Sequence, residues 1–310
     1  MMKTAFLFPG QGSQVVGMGK DLWEHSETAR EIFAQADEIL GFSLQKLCFE
    51  GPEEQLRLTE YAQPALLTVS YAAYLELVQT GITPAVMAGH SLGEYSALVA
   101  SGALSFSDGL KLVRERGRLM AEAGRKTNGG MAAVLMLERA ILEELLDKLG
   151  EGKVVIANLN SPAQIVISGE KSRLELIGQE VVARKGRFVP LAVSGAFHSF
   201  MMQEAAEAFQ GVLRQVTFNK PQTEVIANLT AAPIGDPADI PELLVRHLTS
   251  PVRWEESLRR MEQDGVRLFV EVGPGKVLSG LVKKTLTGAV IAQVASGEDA
   301  KKLLAISEEV

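Results

Sequence analysis

The feature that most constrains the fold is an alternation of short apolar runs with longer helical patterns, which appears at both ends of the chain. Near the N-terminus, "TAFLF" precedes helical patterns near residues 20–40 and 64–80, and "AVMAG" leads into a helix from about residue 92. Near the C-terminus, "TEVIANL", a helix at about residues 253–264 and the apolar run "RLFVEVG" repeat this rhythm. Strands that alternate with helices form parallel sheets covered by helices, so the two ends predict parts of one α/β layer.

The segment between these two ends has a different order of elements. From Met131 to Val193 the pattern reads strand, helix, strand, strand, helix, strand, which is the ferredoxin-like order. The polar stretch "GRKTNGG" precedes it and is typical of a domain boundary. We therefore predict an α/β fold in which residues 127–194 form a small inserted domain, and residues 1–126 and 195–310 form one discontinuous large domain.

Composition and charge exclude several classes of protein. Of 310 residues, 46% are hydrophobic and 22% charged, as in ordinary globular proteins, and no run approaches the ~20 apolar residues that span a bilayer. A net charge of -7 argues against nucleic acid as a partner. The N-terminal apolar run is too short for a secretory signal, and the single cysteine, Cys48, cannot form an internal disulfide. We expect a cytoplasmic protein without membrane or nucleic-acid partners, in which Cys48 is a packing residue.

The stretch "GHSLGEY", residues 89–95, follows the apolar run "PAVMA" and frames Ser91 with two glycines. Such a pattern presents a nucleophile on a sharp turn between a strand and a helix, where main-chain N–H groups point toward the hydroxyl. The same residues also fit a helix cap, in which Ser91 opens the helix and Glu94 completes a capping box. A nucleophile needs a base, so the histidines decide between these two interpretations.

The chain has four histidines, and their surroundings differ. His90 directly precedes the serine, so its side chain diverges from the hydroxyl and we expect it to pack beneath the turn. His25 lies in a polar stretch and His247 near the end of a helix, where histidine side chains are usually solvated or face the helix dipole. His198 lies in "SGAFHS", where the inserted domain rejoins the large one and a cleft would form. It fits a general base for the serine, or a histidine held by Ser199 at the start of a helix.

A second glycine-rich stretch, "FPGQGSQVVGMG", follows the first predicted strand. It lacks the third glycine of the dinucleotide fingerprint and the lysine of the phosphate-binding loop, because Val15 and Met18 occupy those places. Its free main-chain N–H groups suit the second donor of an oxyanion hole. The same sequence also fits a plain turn from strand to helix.

On a helical wheel from Phe106 to Glu122, the apolar residues occupy one half and Arg116 lies in the middle of that half. A buried guanidinium without a partner is costly, so Arg116 must face an internal carboxylate or a ligand that carries one. Its planar fork suits bidentate capture of a carboxylate. A serine nucleophile beside an inward arginine indicates an acyl substrate with a free acid group.

Over about residues 4–285, the chain resembles the malonyl-CoA:acyl carrier protein transacylases on the stretches "FPGQGSQ", "GHSLGEY", "VRERGRLM", "NSPAQIVISG", "SGAFHS", "SPVRW" and "VGPGKVLSGL". The resemblance implies an α/β-hydrolase-like large domain with an inserted ferredoxin-like small domain. It also implies transfer of a malonyl group from malonyl-CoA, through a malonyl-serine ester, to the phosphopantetheine thiol of acyl carrier protein, supplying fatty-acid synthesis. Malonyl-CoA and acyl carrier protein would be the partners, and no metal or prosthetic group is expected.

Carried over by motif, the resemblance makes Ser91 the nucleophile and His198 its base. Arg116 would hold the malonyl carboxylate. Gln11 and Leu92 would supply the two main-chain N–H groups of the oxyanion hole.

Two further positions follow from the same resemblance. The family orients its histidine with a main-chain carbonyl, and the matching residue lies in "SPVRW", where Arg253 occupies a position that is glutamine in some relatives. Phe197 occupies the position at which relatives with an aromatic residue resemble malonyl-selective enzymes. A ring there would crowd a branch on the α-carbon of the substrate.

Three other functions would use parts of the same set of residues. A free-standing malonyl loader for a polyketide synthase needs the same chemistry as the fatty-acid enzyme. A serine thioesterase or hydrolase would use the same serine, histidine and oxyanion loop, but the inward Arg116 argues against it. A non-catalytic scaffold that binds carrier protein would not need the intact set of Ser91, His198 and Arg116.

Overall fold

The computed structural model describes residues 2–308, which form two sheets and the helices around them. No helix in this described part is both long and apolar enough to cross a lipid bilayer. The strands are β1 (Thr4–Phe8), β2 (Val86–Gly89), β3 (Gly129–Leu135), β4 (Val154–Ser161), β5 (Gln164–Glu170), β6 (Arg187–Pro190), β7 (Glu224–Ala227), β8 (Ala232–Pro233), β9 (Leu268–Val272) and β10 (Val290–Val294). The helices are α1 (Lys20–His25), α2 (Glu27–Leu40), α3 (Leu44–Glu50), α4 (Glu53–Arg57), α5 (Thr59–Gln79), α6 (Gly93–Ala100), α7 (Phe106–Lys126), α8 (Arg139–Leu149), α9 (Lys171–Ala183), α10 (Gln203–Leu213), α11 (Ile240–His247), α12 (Trp254–Gln263), α13 (Val277–Thr285) and α14 (Gly297–Glu308).

The larger sheet has six strands in the order β10-β9-β1-β2-β7-β8. All its neighbouring strands are parallel except β7 and β8, which are antiparallel. Strand β1 lies in the middle, with Ala5 opposite Val86 of β2 and Phe269 of β9. Strands from the two ends of the chain therefore share one sheet, and the prediction of a single α/β layer is confirmed.

Both faces of the larger sheet are covered by apolar side chains. Along β1, Phe6 and Phe8 belong to the main core cluster, whereas Ala5 and Leu7 belong to a second cluster with residues of α12 and α13. This alternation is the pattern of a strand buried between two layers of helices. Cys48 is buried in the main cluster, where burial raises the pKa of its thiol, in agreement with a packing role.

The smaller sheet has the strand order β4-β5-β3-β6, and all its pairs are antiparallel. Its elements follow the chain as β3, α8, β4, β5, α9 and β6, so the order of strands and helices predicted from the sequence is confirmed. The helices α8 and α9 bury their apolar residues against this sheet in a separate core cluster.

Strand β4 joins the smaller sheet to the rest of the molecule. Its pairing with β5 is irregular between Ile156 and Asn158, where one extra residue bends the strand. At this bulge, the main chain of Val252 donates to the carbonyl of Ala157 at 2.9 Å and accepts from the N–H of Leu159 at 2.9 Å. These two bonds fix the smaller sheet against the segment that precedes α12.

Helix α5 begins at Thr59, earlier than the pattern near residue 64 predicted. Pro64 has no N–H and cannot bond the carbonyl of Glu60 four residues before it. The guanidinium of Arg114 donates to that carbonyl instead. The helix therefore continues through the proline without an unsatisfied carbonyl.

Gly89 gives a test of how tightly the turn after β2 is packed. A Cβ atom at Gly89 would lie 1.9 Å from the carbonyl carbon and oxygen of Gly93, and this overlap is with main chain that cannot rotate away. We expect Gly89→Ala to lower the free energy of unfolding by at least about 3 kcal/mol or to prevent folding, measured by urea denaturation. Gly211→Ala is the control, because a Cβ there meets nothing within 4 Å in helix α10, and it should be neutral or stabilising by up to about 1 kcal/mol. A Gly89→Ala protein as stable as the Gly211→Ala protein would contradict this account of the turn.

Candidate active site

Ser91 lies on the sharp turn between β2 and α6, with a φ of 51°. Few residues other than glycine adopt this left-handed conformation, and its strain is typical of a nucleophile held on such a turn. The side chain of Asn228 fixes the turn, because its Oδ1 accepts from the N–H of Ser91 at 2.7 Å and its Nδ2 donates to the carbonyl of Gly89 at 2.6 Å. The helix-cap interpretation is wrong, because Leu92 occupies the N-cap position and no side chain caps α6.

The imidazole of His198 is hydrogen-bonded to the hydroxyl of Ser91, with 2.8 Å between Nε2 and Oγ. Its other nitrogen, Nδ1, lies 2.9 Å from the carbonyl oxygen of His247. Because a carbonyl only accepts, Nδ1 carries the proton and Nε2 presents its lone pair to the serine. Ser199, the alternative partner, donates its hydroxyl to the carbonyl of Ala196 at 2.6 Å.

Burial sets the protonation state of His198, whose side chain is 3% exposed. Desolvation is the largest cause, and the positive charge of Arg116 the second, of a lowering of its pKa from 6.5 to about 3. The imidazole is therefore neutral at pH 7 and can accept the serine proton. A neutral base of this kind beside a hydroxyl is the arrangement that general-base catalysis needs.

The structure differs from the expectation for Arg253. Arg253 is the N-cap of α12, and its carbonyl accepts from the N–H of Ser257 at 3.0 Å and from its hydroxyl at 2.9 Å. A carbonyl committed to the first turn of a helix is not free to orient a histidine. The carbonyl of His247 does so instead, and the side chain of Arg253 pairs with Glu256.

Arg116 is 1% exposed, on the inward face of α7, as the helical wheel predicted. Its Nη1 donates to Oε1 of Gln63 at 2.9 Å, its Nη2 donates to Oγ of Ser91 at 3.3 Å, and its Nε has no partner in the described part of the chain. Its guanidinium also lies 5.4 Å from the centre of the Tyr95 ring. Within residues 2–308, no carboxylate lies within 4.0 Å of it, since no ion pair includes Arg116. A buried cation without a carboxylate partner therefore points at the serine.

These side chains line one cavity of about 540 Å³ between the two sheets. Gln11 and Leu92 line it as well, and their main-chain N–H groups have no acceptor among the described residues, so both are free to bind an oxyanion. Phe197 adds an aromatic wall, and its side chain is 5% exposed. No group of three or more His, Cys, Asp or Glu side chains in residues 2–308 is placed to hold a metal ion. The predicted residues other than Arg253 thus surround one site.

The turn also contacts the smaller sheet. His90 packs edge-on against Trp254, with ring centres 5.4 Å apart, and its Nε2 lies 2.7 Å from Oδ1 of Asn160. Asn160 is the extra residue of a second irregularity in β4, between Leu159 and Ser161, and bulges commonly redirect a side chain beside an active site. His90 thus packs against Trp254 and contacts the inserted segment, but it is only half-buried and lines the cavity, so it does not lie wholly beneath the turn as expected.

Sequence reasoning missed three residues that hold this site. Asn228 follows β7, which neighbours β2, and a polar residue after a parallel strand at this edge is a signal that could have identified it. Gln63 is a buried amide on an apolar helix, the same signal that identified Arg116. His247 gave no signal, because it acts on His198 through its main chain, and it is 1% exposed rather than solvated.

Comparisons with known proteins agree with this arrangement. The acyl transferase domain family matches residues 5–302. The malonyl CoA-acyl carrier protein transacylase of Bacillus subtilis (strain 168) is 51% identical over 288 residues, which cover 92% of this chain and 90% of the relative. The crystal structure of the transacylase of the same name from Clostridium perfringens has a TM-score of 0.95 at 40% identity, covering 99% of this chain and 98% of that chain.

A further solved structure is a type II PKS acyl-carrier protein in complex with its malonyl-transacylase. It has a TM-score of 0.95 at 38% identity and covers 98% of this chain and 99% of that chain. Family model, sequence relatives and solved structures agree over nearly the whole length. The chain belongs to the malonyl CoA-acyl carrier protein transacylase family of acyl transferases.

Proposed function

We propose that this protein transfers the malonyl group of malonyl-CoA, through an ester on Ser91, to the phosphopantetheine thiol of acyl carrier protein. The observation that carries the proposal is Arg116, a buried cation 3.3 Å from the serine hydroxyl with no carboxylate within 4.0 Å among the described residues. An acyl group with a free carboxylate, such as malonyl, supplies the missing charge. The names of the Bacillus subtilis relative and of the Clostridium perfringens structure support the same substrate and acceptor.

In the first half of the proposed reaction, the hydroxyl of Ser91 attacks the thioester carbonyl while Nε2 of His198 takes its proton. The N–H groups of Gln11 and Leu92 stabilise the oxyanion, and each such donor is worth about 3–4 kcal/mol in measured cases. The carbon–sulfur bond then breaks and the proton on His198 passes to the departing CoA thiolate. The positive charge of Arg116 lowers the pKa of His198. A bound substrate carboxylate cancels that charge, so substrate binding raises the pKa of His198 and makes it a stronger base.

In the second half, the phosphopantetheine thiol attacks the malonyl-serine ester and His198 takes the thiol proton. The ester bond breaks, the proton returns to Oγ of Ser91, and the malonyl group leaves on the carrier. The chain's own residues suffice for these steps, and we propose that it uses no metal or prosthetic group. Arg116 holds the carboxylate so that the ester carbonyl faces the incoming thiol, which favours transfer over hydrolysis.

We further propose that the two sheets correspond to the domains expected from the family. The strand order β4-β5-β3-β6 supports a ferredoxin-like small domain over residues 127–194, and the mainly parallel sheet supports an α/β-hydrolase-like large domain over residues 1–126 and 195–310. Residues 1, 309 and 310 of that range lie outside the described residues. A cytoplasmic location remains part of this proposal, because acyl carrier protein and CoA thioesters would be its partners.

The pathway depends on which carrier accepts the malonyl group. The fatty-acid carrier is the proposed acceptor. The similarity to a malonyl-transacylase solved with a type II PKS carrier supports a polyketide carrier as the second candidate. The chemistry at Ser91 is the same in both cases, so a comparison of transfer rates to the two carriers separates them.

Malonyl-CoA labelled in the acyl group tests the function directly. Without carrier protein, we expect label on the enzyme in an ester that peptide mapping places at Ser91, and none in a Ser91→Ala variant. Addition of acyl carrier protein should move that label to the carrier. Free malonate as the main product would indicate a hydrolase, and no label on enzyme or carrier would indicate a scaffold.

Arg116→Ala should remove the preference for an acidic acyl group. Loss of a buried, charge-assisted partner costs roughly 3 kcal/mol, so we expect kcat/KM for malonyl-CoA to fall by at least about 100-fold while that for acetyl-CoA changes far less. Arg118→Ala on the same helix is the control, because Arg118 pairs with Glu115 and Glu122 at the surface. An Arg116→Ala enzyme that still prefers malonyl-CoA over acetyl-CoA would contradict the assigned role.

Phe197 should limit turnover of substrates that are branched at the α-carbon. One added methyl group in a closely fitting pocket is worth about 1–3 kcal/mol, so we expect the wild type to use malonyl-CoA at least about tenfold better than methylmalonyl-CoA. Phe197→Ala should reduce this ratio, and Phe200→Ala, which changes an exposed ring nearby, should not. Equal kcat/KM values for the two substrates in the wild type would refute the hypothesis.

A further inference from the structure

Two buried ionisable side chains meet beneath the serine and histidine, and the proposed reaction uses neither of them. Glu94 lies in the first turn of α6, and His247 is the last residue of α11. Each is 1% exposed, and Oε2 of Glu94 lies 3.4 Å from Nδ1 of His247. Neither ring nitrogen of His247 makes a hydrogen bond in the described part of the chain, and Glu94 is the polar group that its Nδ1 faces across this 3.4 Å contact.

This contact closes a ring of interactions through the catalytic pair. Ser91 bonds His198, and His198 bonds the carbonyl of His247. The ring of His247 contacts Glu94, whose main-chain N–H donates to the carbonyl of Ser91 at 3.2 Å. Both ring nitrogens of His198 are therefore connected to the turn that carries Ser91. Nε2 bonds Ser91 directly, and Nδ1 is connected through His247 and Glu94.

Asn228 holds the carboxylate of Glu94 in this closed chain of contacts. Its main-chain N–H donates to Oε2 of Glu94 at 3.3 Å, while its side chain holds the N–H of Ser91 and the carbonyl of Gly89. One residue thus sets the position of both the nucleophile and the carboxylate. If Glu94 moved, the side chain of His247 would move with it, and so would the carbonyl of His247 that orients His198.

The groups around His247 leave its contact with Glu94 polar but with little net charge. Glu94 faces His247 from α6. The ring of His198, in the loop before α10, lies 4.8 Å from the ring of His247 between centres. The charges of Arg116 in α7 and His90 in the turn act on His247 from farther away. Burial lowers the pKa of His247 and raises that of Glu94 to about 8, so near pH 7 the pair holds one proton and is close to neutral. Buried pairs of this kind add little to stability, which favours a role in geometry.

We propose that Glu94 and His247 are positioning residues for His198, and that their side-chain contact holds the carbonyl of residue 247 where it keeps Nε2 of His198 within reach of Ser91. The proposal rests on the proposed function only in taking Ser91 and His198 as the reacting pair. Neither side chain lines the cavity, so neither touches a substrate that Arg116 holds there. The contact therefore acts on the chemical step and not on affinity.

A fluorophosphonate probe and malonyl-CoA kinetics together test this role. The probe phosphorus bonds to Oγ of Ser91, fluoride leaves and His198 takes the serine proton, so labelling needs the pair without needing a malonyl carboxylate. We expect Glu94→Leu and His247→Leu each to slow labelling and to lower kcat by about 10- to 100-fold, the range found when a polar partner that orients a metal-bound histidine is removed. KM for malonyl-CoA should stay within about twofold.

The double variant and two further variants separate positioning from general loss of structure. Because either single change breaks the same contact, Glu94→Leu/His247→Leu should label no more slowly than the slower single variant. His247→Asn should keep most of the activity, since its Nδ2 takes the place of Nδ1 and can donate to Glu94. Glu76→Gln, at a carboxylate that bonds Ser26 away from the cavity, is the control and should behave as wild type. If a leucine variant does not fold, His247→Ala, which has no polar atom to face Glu94, replaces it with the same expected loss.

Two results would overturn the proposal. One is labelling and kcat within about twofold of wild type in folded single variants, even where the urea midpoint falls, because the contact would then serve stability alone. The other is multiplied losses in the double variant, because the two residues would then act independently. Failure of the wild type to pass malonyl to carrier, with labelling slowed in the variants, would reject the proposed function and leave the positioning role intact.

Discussion

Main-chain packing around the turn after β2 is the constraint on which the site depends. A side chain at Gly93 would lie 2.1 Å from the carbonyl oxygen of Phe8, and one at Gly10 would lie 2.3 Å from that of His90. The end of β1, the glycine-rich loop and the turn therefore touch through main chain alone. The hydroxyl of Ser91 and the free N–H groups of the loop are placed by the sheet itself. Donors fixed in this way need no reorganisation when charge develops on a substrate oxygen.

Burial then sets the charges of the two side chains nearest the serine. The same loss of water that keeps His198 neutral leaves Arg116 without solvent, and its contacts are an amide from Gln63, the serine hydroxyl and the ring of Tyr95. These neutral groups stabilise a guanidinium without neutralising it. The site thus holds a base that accepts a proton beside a cation that attracts an anion, and both properties have one physical cause.

Much of this arrangement could be predicted from the sequence, because periodicity and turn chemistry are local. The alternation of strands and helices, the inserted run of six elements, the turn at Ser91 and the inward face of Arg116 all follow from the local patterns of single elements. The residue that orients His198 could not be predicted in this way. Every residue has a main-chain carbonyl, so the sequence does not show which one accepts from Nδ1 of His198. The choice depends on how the end of α11 packs against the turn, which is a long-range contact. The resemblance to a family placed that carbonyl at Arg253, six residues from the observed position.

The inserted segment completes the cavity from the other side, and its apolar residues explain why a malonyl ester would survive. Met131 of β3, Leu191 and Val193 come from the inserted segment and line the cavity, whereas Ser91 and Arg116 come from the larger sheet and its helices. A water beside these apolar side chains gains no hydrogen bond from them that would hold it in line with the ester carbonyl. A long thiol that is held by its carrier protein is delivered to that carbonyl at a high effective concentration. Apolar walls and a fixed carboxylate therefore favour the thiol over water without any group that repels water specifically.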